Sequence, residues 1–508
     1  TVQNVHAGIY VRGSSATSLS DSIVTIGQSG AGNIIQNFGG GSATSTYGVY
    51  FIYVKNPTVA YNTINNTSGG GSAHGSSLYG IFYSTVSGDV VGSNNSITLS
   101  NSSTSQTQWI YNANTCTSEL YSNNTFAAGS FASTAQSNFI YCSNSTTNKT
   151  ISGNLTSGSI SKTGTSGAFY CTYNNGSPTG TENIFNNNFS NITLAGSSSF
   201  YGFSSTTASG HTQNVYNNTI SNITVASGTF YGTNLTIANT RYVYGNTVNN
   251  ISGSATLYGL SLGSGSTSGL IYKNNIYNLS SSLSGGLVYG MYITGGTLVN
   301  VYNNYISDLK APIATGANAV NGIFISGGTN VNLYYNTVYL NAAGGATFGS
   351  SAVYKSSTTT SEFRNNIFVN VSTPGSTSGN SAAIRWSGAY NATYYTSTSN
   401  NNCLYAGTPA ANMLIFFDGT NSDQTIGAYK TRVAPRDAAS FTELPPFVNV
   451  ASTPYDLHIQ TTIPTQLEKG GSPVTTPIAI TDDYDGNIRN VTLPDVGADE
   501  GDFTPLDL

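Results

Sequence analysis

The stretch NVYNNTISNIT, residues 214–224, is repeated with small changes farther along the chain, and this repetition decides the fold. Its next copies are YVYGNTVNNIS, LIYKNNIYNLS and NVYNNYISDLK, which follow one another at nearly equal spacing. Each copy keeps an asparagine, an apolar residue two positions later, and Asn or Asp four positions later. A motif that returns at a nearly constant step indicates a repeat architecture.

The asparagine that opens this N-x-apolar pattern recurs along most of the chain. We call its occurrences the landmark asparagines: Asn33, Asn62, Asn95, Asn124, Asn154, Asn187, Asn218, Asn246, Asn274, Asn304, Asn336 and Asn366. An Ile, Val or Phe stands two positions after each of them except Asn154, which is followed by Thr156. Their period of about 30 residues is typical of helical arrays and of β-solenoids.

The residue types between the landmarks favour strands. The segments are β-branched and aromatic and are separated by Gly, Ser, Thr and Asn, which is a strand and turn composition. A glycine within an aromatic segment also recurs, half a repeat before a landmark asparagine: Gly48, Gly80, Gly202, Gly232, Gly259, Gly290 and Gly322. Each repeat has room for about three short strands, which make one coil of a parallel β-helix.

We therefore predict an all-β protein, a parallel β-helix (β-solenoid) of about 12–13 coils of ~30 residues with a C-terminal cap. Residues 1–404 form the solenoid, and residues 405–508 form the last coil or coils and an acidic cap segment. Stacked coils are ~4.8 Å apart. A landmark asparagine at a corner can therefore bond to its counterpart in the next coil, and its side chain tolerates unusual corner angles. The motif is predicted to be structural.

The residues at one repeat position, taken from successive coils, form a column. Two columns near the landmark asparagine predict which side of a strand faces water. Five positions before it stand Glu119, Lys149, Glu182, Gln213 and Arg241, and two positions before it stand Phe185, Tyr216, Tyr244, Tyr272, Tyr302 and Tyr334. The charges, together with Lys273 one position before its landmark, predict that odd positions face water and that the aromatic column faces inward. The position three before the landmark is aliphatic, however. Either a bulge breaks the alternation, or an apolar stripe is covered by a loop or a partner.

Composition excludes several classes of protein. Charged residues make up 7% of the chain, too few for a basic nucleic-acid surface, and no segment has the ~20 apolar residues of a membrane span. The 4 cysteines lack metal-ligand spacing. Cys142 and Cys171 stand at matching points of FIYCS and AFYCT, so they can stack as a disulfide or remain buried thiols.

The C-terminal segment carries a family resemblance. PPFV, DLHI, GGSP, DYDGNIR and DVGADE occur in that order within residues 425–503. This series resembles the choice-of-anchor-like end of secreted right-handed β-helix proteins of Bacteroidota, although PTQLEKGGSP lacks the usual apolar-acidic element. The resemblance implies a right-handed solenoid, export by type IX secretion machinery, and an extracellular or cell-surface address on a bacterium. A first residue other than Met also predicts a processed or excised chain.

Few residues are available for chemistry. Solenoid enzymes that cleave polysaccharides need carboxylates, bases or calcium on one face. The candidates are Glu119, Lys149, Glu182 and Arg241, whose alternating signs favour an ion-pair ladder over catalysis. Asp483, Asp485 and Asn487 resemble part of a calcium loop, but the distal glutamate is missing and a structural turn is favoured. We predict no other metal or cofactor.

The sequence thus predicts a non-catalytic extracellular or cell-surface module, either structural or adhesive. Its partners are expected to be surface glycans or further copies of itself. The alternative function is a polysaccharide lyase or glycoside hydrolase of pectate-lyase-like fold, in which Glu119 or Glu182 would be essential.

Overall fold

The computed structural model describes residues 6–14, 21–39, 44–67, 75–176, 178–206, 210–263 and 265–506. It is a right-handed parallel β-solenoid of about 12 coils with ~30 residues per turn, which confirms the predicted fold class. By its internal contacts the chain divides into two compact units, Thr1–Thr240 and Arg241–Leu508. A coil contributes one strand to each of three sheets, which we number in the order in which the chain visits them.

In the first unit, successive coils add their strands to the same three sheets, and neighbouring strands within a sheet are parallel. Its first sheet contains Ala7–Arg12, Thr46–Lys55, Leu78–Ser87, Thr107–Asn112, Ser137–Cys142, Phe169–Asn174, Phe200–Ser205 and Phe230–Leu235, with Asp21–Ser22 at one edge. The second sheet contains Thr25–Ile26, Thr58–Ala60, Asp89–Ser93, Cys116–Ser122, Thr146–Ser152, Thr181–Phe185 and Thr212–Tyr216. The third contains Ile34–Gln36, Thr63–Asn65, Ser96–Asn101, Thr125–Phe131, Leu155–Thr156, Ile160–Lys162, Asn188–Leu194 and Thr219–Val225.

The second unit repeats this arrangement. Its first sheet contains Leu257–Leu262, Val288–Ile293, Val320–Ile325, Ser350–Lys355, Ser381–Trp386, Met413–Phe417 and the antiparallel Ser422–Asp423. The second sheet contains Ser268–Tyr272, Leu298–Tyr302, Asn330–Tyr334 and Phe363–Arg364, and strand Thr240–Tyr244 spans the unit boundary in the sequence. The third contains Thr247–Gly253, Asn275–Ser281, Tyr305–Lys310, Thr337–Leu340, Ile367–Asn370 and Cys403–Tyr405. A 3-10 helix, Ala392–Tyr394, and an α-helix, Ile426–Val433, complete the coils.

The landmark asparagines form hydrogen-bonded ladders at the corner between the second and third sheets. From Asn33 to Asn218, each side-chain amide donates to the Oδ1 of the next landmark at 2.9–3.1 Å. From Asn246 to Asn366, the same bonds measure 2.8–3.0 Å. The ladder of the second unit continues through Asn402 to Asp437, two steps beyond the last predicted landmark. These bonds satisfy the polar groups of buried amides, which would otherwise lower the stability of the folded chain.

The unusual corner angles belong to other residues than the sequence predicts. The landmark asparagines themselves do not have positive φ; the residue just before each of them does, except before Asn33, and an example is Asn217 at 52°. A second left-handed position follows four residues after the landmark, for example Asn222 at 56°. Because Asn tolerates left-handed backbone better than other non-glycine residues, the paired asparagines of the motif have separate roles. The first turns the chain, and the second builds the ladder.

The recurrent glycines lie on the inner side of the first sheet, opposite the apolar residue that follows the landmark. A Cβ on Gly290 would be 2.5 Å from Cγ2 of Ile306 and 2.6 Å from the carbonyl oxygen of Gly322. Gly48, Gly80, Gly259 and Gly322 meet an Ile or Val of the third sheet in the same way. The two repeating landmarks are therefore complementary parts of one core layer, since the glycine leaves the volume that the aliphatic side chain fills.

The C-terminal segment follows the last coils and then bonds to the corners of earlier coils of the second unit. The helix Ile426–Val433 packs beside the last parallel strand, where the rings of Tyr429 and Phe416 are 5.6 Å apart. Residues 442–506, which we call the C-terminal strap, lie along the flank of the second unit and include the antiparallel strands Phe447–Asn449 and Asp456–Ile459.

The strap is bound by the left-handed corner residues that precede the ladder asparagines. Asn401 donates to the carbonyl oxygen of Gly470 at 2.9 Å, and Asn365 donates to that of Ser472 at 2.7 Å. Farther along, Asn303 donates to the carbonyl oxygen of Asp482 at 2.8 Å. The side chains at these corners point outward because the backbone turns there. One repeat position thus supplies successive anchors for the strap.

Candidate functional site

The candidate charged column lies inside the solenoid, and its predicted exposure to water is wrong. Glu119, Lys149 and Glu182 of the first unit are each at most 2% exposed, and Gln213 is fully buried beside them. The aliphatic column has the same parity and also faces the core, as Ile184 and Val215 show. No bulge separates the two columns in Thr181–Phe185, where exposure alternates along the strand. The inner side of the second sheet therefore holds both charged and aliphatic side chains.

The aromatic column accordingly faces outward, which also reverses the prediction. Phe185 and Tyr216 are half-buried on the outer surface of the first unit, with ring centroids 4.8 Å apart. In the second unit the strap covers part of the column, so that Tyr302 and Tyr334 are buried against Val474 and Ile480. A covering segment thus exists, but it covers the aromatic residues and not the aliphatic ones.

Glu119 and Lys149 form a fully buried ion pair. The Nζ of Lys149 is 3.2 Å from Oε2 of Glu119 and donates to Oδ1 of Asn174 at 2.6 Å. Oε1 of Glu119 accepts from Asn112 at 2.7 Å and from the Tyr121 hydroxyl at 3.2 Å. Burial alone would lower the pKa of Lys149, but the negative charges around it, Glu119 among them, raise the pKa. The predicted ladder of alternating charges is present here, as an interior network.

Glu182 is held by uncharged donors and by a histidine. Gln213 donates to its Oε2 at 2.7 Å, and Asn174 donates to its Oε1 at 2.7 Å. Nε2 of His211 is 3.6 Å from the same Oε2. Burial alone would raise the pKa of Glu182, but the His211 contact and the Lys149 charge bring it down to about 2. The carboxylate is therefore ionised and multiply hydrogen-bonded.

Arg241, the last candidate of this column, belongs to the second unit and is also buried. Its Nη1 donates to the carbonyl oxygen of Gly263 at 3.4 Å. The charged groups of all four candidates are therefore buried, where a dissolved polysaccharide does not reach them. A glycosidase requires its two carboxyl groups on either side of a bound sugar. Glu119 and Glu182 are instead surrounded by the chain's own side chains.

An outer surface that the sequence analysis did not single out has more regular geometry. In the first unit, aromatic rings of the first sheet stack coil upon coil, from Tyr10 to Tyr173. Successive centroids are 5.1, 5.3, 5.0, 4.7 and 5.2 Å apart through Tyr10, Tyr50, Phe82, Tyr111, Tyr141 and Tyr173. A second file beside it contains Tyr170 and Tyr201, 4.5 Å apart. We call these rings the aromatic strip of the first unit.

The strip presents hydroxyl groups and ring edges, because neighbouring rings cover each other's faces. Most of its residues are half-buried, and Tyr10 is 52% exposed. Burial and the neighbouring tyrosines raise the pKa of Tyr141 and of Tyr170, so the hydroxyls remain protonated and uncharged. The second unit has a comparable strip in which Tyr258, Tyr289, Phe324 and Tyr354 follow one another. The signal was present in YGVYF and YGIFY, where aromatic residues flank the inward glycine.

The cysteines and Asp483 have structural surroundings. Cys142 is paired in register with Asn174, and Cys171 lies three residues earlier on that strand, so the predicted match of the two cysteines is wrong by three residues. All 4 cysteines of the chain are free and buried. Asp483 accepts bonds from the amides of Gly486 and Asn487, both at 2.7 Å, which is the turn that the sequence favoured.

None of the helices in the described part of the chain has the length and hydropathy that a membrane span requires.

No protein-family model, no curated protein and no solved structure matches this chain.

Proposed function

We propose that the protein is a non-catalytic adhesive module of a bacterial surface or extracellular space, and that the aromatic strip of the first unit contacts neutral glycans. The observation that carries this proposal is the strip itself, a row of tyrosines with one phenylalanine that rises coil by coil on an outer face. An extended polysaccharide laid along it meets an apolar ring edge and a hydroxyl at nearly every coil. Such amphipathic side chains suit surfaces that contact polar partners.

The burial of the charged column supports a non-catalytic role over the alternative, a polysaccharide lyase or glycoside hydrolase. Glu119 and Glu182 already accept hydrogen bonds from neighbouring side chains. Their carboxylates therefore need neither water nor a substrate as a hydrogen-bond partner. The extracellular address rests on the resemblance of the strap to the C-terminal end of secreted Bacteroidota β-helix proteins. Export by type IX secretion is part of the same proposal.

The test is retention of the purified chain on a panel of immobilised neutral polysaccharides. The double variant Tyr141→Ser, Tyr173→Ser removes two neighbouring rings from the strip, and we expect at least a tenfold loss of retention. The matched control is Phe185→Ser, Tyr216→Ser, which removes a stacked, half-buried pair from the outer side of the second sheet of the same unit. We expect the control to be retained like the parent, with a similar melting temperature for both variants.

Two results would contradict the proposal. Equal loss of retention in both double variants would remove the strip's special role. New reducing ends or unsaturated products in the same incubations, lost in Glu119→Gln, would make the protein an enzyme and restore the alternative.

A further inference from the structure

A histidine and two aspartates converge within the strap, on the flank of the second unit. Nε2 of His458 is 2.8 Å from Oδ2 of Asp485, and one ligand atom each from His458, Asp485 and Asp499 lie within 4.8 Å of one another. His458 belongs to strand Asp456–Ile459, and the two aspartates follow later in the strap. We call these three residues the His458 cluster.

The histidine is oriented by a further carboxylate. Nδ1 of His458 lies 2.5 Å from Oδ1 of Asp456, which fixes the ring and leaves Nε2 facing the other two carboxylates. A carboxylate behind a histidine is the arrangement that orients metal-bound imidazoles in proteins, since it fixes the tautomer and strengthens the donor nitrogen. Asp499 is held in a similar way, because its Oδ2 accepts the backbone amide of Ile459 at 2.8 Å.

A buried hydroxyl points independently to a ligand at this place. Tyr305, on the coil strand below, is 4% exposed, and its hydroxyl has no hydrogen-bond partner among the described residues. Its ring lies 5.3 Å from the His458 ring. The Tyr305 ring also lies 4.6 Å from the ring of Tyr484, the residue before Asp485 in the strap. A buried hydroxyl without a partner destabilises the fold, and a bound cation would supply the missing partner.

We propose that the His458 cluster, with the Tyr305 hydroxyl, binds a divalent transition-metal cation such as Zn²⁺. The donor set of one imidazole and two carboxylates suits such a cation better than Ca²⁺, which takes six to eight oxygens. Bonds of about 2.0–2.2 Å at tetrahedral angles place donor atoms about 3.3–3.6 Å apart. The cluster reaches this spacing if the 2.8 Å contact between His458 and Asp485 widens and any donor atoms that lie farther apart, up to the 4.8 Å limit, move closer together.

The site is open to solution on one side and buried on the other. The side chains of His458 and Asp485 are 38% and 45% exposed, whereas Asp499 is buried. The exposed side gives a cation an entry path, and the buried side gives it fixed donors. A bound cation would join three separate parts of the strap to each other above Tyr305. Its role would be to hold the strap on the coils, which is independent of the glycan contact proposed for the first unit.

The test is a titration of the full-length chain with ZnCl₂ by isothermal titration calorimetry, after treatment with EDTA and dialysis into metal-free buffer. We expect one Zn²⁺ per chain, and at least a tenfold weaker affinity in each of His458→Gln and Asp485→Asn. His6→Gln and Asp502→Asn are the matched controls, because both residues are exposed and lie outside the cluster. They should bind Zn²⁺ like the parent chain.

Tyr305→Phe distinguishes a ligand from a packing residue. It removes only the unpartnered hydroxyl, so the metal-free variant should melt at or above the temperature of the parent. Its Zn²⁺ affinity should nevertheless fall several-fold, and Asp456→Asn should weaken binding about 10- to 100-fold through the ring that it orients.

Three outcomes would overturn the proposal. One is the absence of Zn²⁺ binding at micromolar concentrations, and another is unchanged stoichiometric binding in both His458→Gln and Asp485→Asn. The third is tighter binding of Ca²⁺ than of Zn²⁺, which would contradict a site built around imidazole. Asp485→Asn keeps the test valid if His458→Gln does not fold, since Asp485 is on the surface.

Discussion

At the scale of single residues, the interior of the first unit is unusual because it contains ionised groups among aliphatic and aromatic side chains. Glu119, Lys149 and Glu182 are in the core, and amides and hydroxyls fill their remaining hydrogen-bonding positions. Desolvating an ion pair costs several kcal/mol, so the pair is stable only when both partners and their hydrogen bonds are present. The energetic signature of such a pair is that losing one partner costs more than losing both.

A double-mutant cycle tests this property. Lys149→Met leaves Glu119 buried without its cation, and we expect a loss of about 3–5 kcal/mol in the free energy of unfolding. In the double variant Glu119→Gln, Lys149→Met position 119 carries no charge, and Glu182 keeps its hydrogen bonds from Gln213 and Asn174, so part of that loss should be recovered. The measurement is urea denaturation followed by circular dichroism. If Lys149→Met lost less than about 1 kcal/mol, the pair would behave like a solvent-exposed one.

Glu182 gives a pH dependence with a definite sign. Its pKa in the folded chain is lowered from 4.5 to about 2, despite the opposing effect of burial. The folded state therefore favours the ionised form, and the resulting stability is present above the unfolded pKa and is lost as the pH falls through the folded pKa. The parent should lose up to about 3 kcal/mol relative to Glu182→Gln between pH 5 and pH 2. A difference in unfolding free energy that is constant over this range would contradict the assignment.

At the scale of the strand and the coil, the repeat is a pair of complementary positions. The glycine of the first sheet leaves the space into which the aliphatic residue of the third sheet projects, as Gly290 and Ile306 show. The asparagine ladder fixes the register in which these layers stack. A coil therefore depends on the absence of one side chain as much as on the presence of another.

Gly290→Ala tests the packing of a coil. The added Cβ would lie 2.5 Å from Cγ2 of Ile306 and 2.6 Å from the backbone oxygen of Gly322, and the backbone cannot move aside without distorting the sheet. We expect a loss of about 1–3 kcal/mol in the free energy of unfolding, measured by urea denaturation. Gly285→Ala is the control, because no atom lies within 4 Å of its added Cβ. Equal stability of the two variants would show that the glycine landmark has another origin.

The elements also show how far the sequence could predict this structure. The period, the three strands per repeat and the ladder followed from residue spacing, because identical positions stack in a solenoid. Which columns of side chains face the core and which face water did not follow from the spacing. Lys273 is not a strand residue, as that prediction required, because the strand Ser268–Tyr272 ends just before it and Lys273 has a φ of 54°. A residue at a left-handed corner points outward whatever the strand alternation is, so it carries no information on which side of the strand is buried.

The aromatic strip was missed, and of the His458 cluster only Asp485 was singled out from the sequence, as a calcium candidate; the reasons differ. The strip was visible as tyrosines on both sides of the landmark glycine, but the outer side of a sheet has no compositional requirement that singles it out. The cluster joins residues from three parts of the strap, and no spacing rule connects His458 with Asp499. The buried position of Tyr305 depends on where the strap lies, which the repeat does not determine.

At the scale of the whole second unit, the coils and the strap depend on each other. The coils offer a row of corner side chains, and the strap supplies backbone carbonyls that accept their hydrogen bonds. Arg489 of the strap links the two parts through its guanidinium. It donates to Oδ1 of Asn303 at 2.9 Å, and its guanidinium lies 3.8 Å from the ring centre of Tyr335. Within the strap it pairs with Glu500 at 3.0 Å.

Arg489→Met tests whether the strap can detach from the coils while the coils remain folded. The substitution leaves Glu500 buried without its cation and removes the bond to Asn303, which should cost about 3–5 kcal/mol. Because the coils retain their own ladder and core, we expect the strap to detach before the coils unfold. Limited proteolysis, with fragments identified by mass spectrometry, should show early cleavage within residues 442–506 while the β-sheet circular dichroism signal persists.

Arg432→Met is the control, since Arg432 pairs with Asp423 outside the strap, and it should not accelerate cleavage within the strap. If Arg489→Met instead lost strap and coils in one transition, the two would form a single cooperative unit.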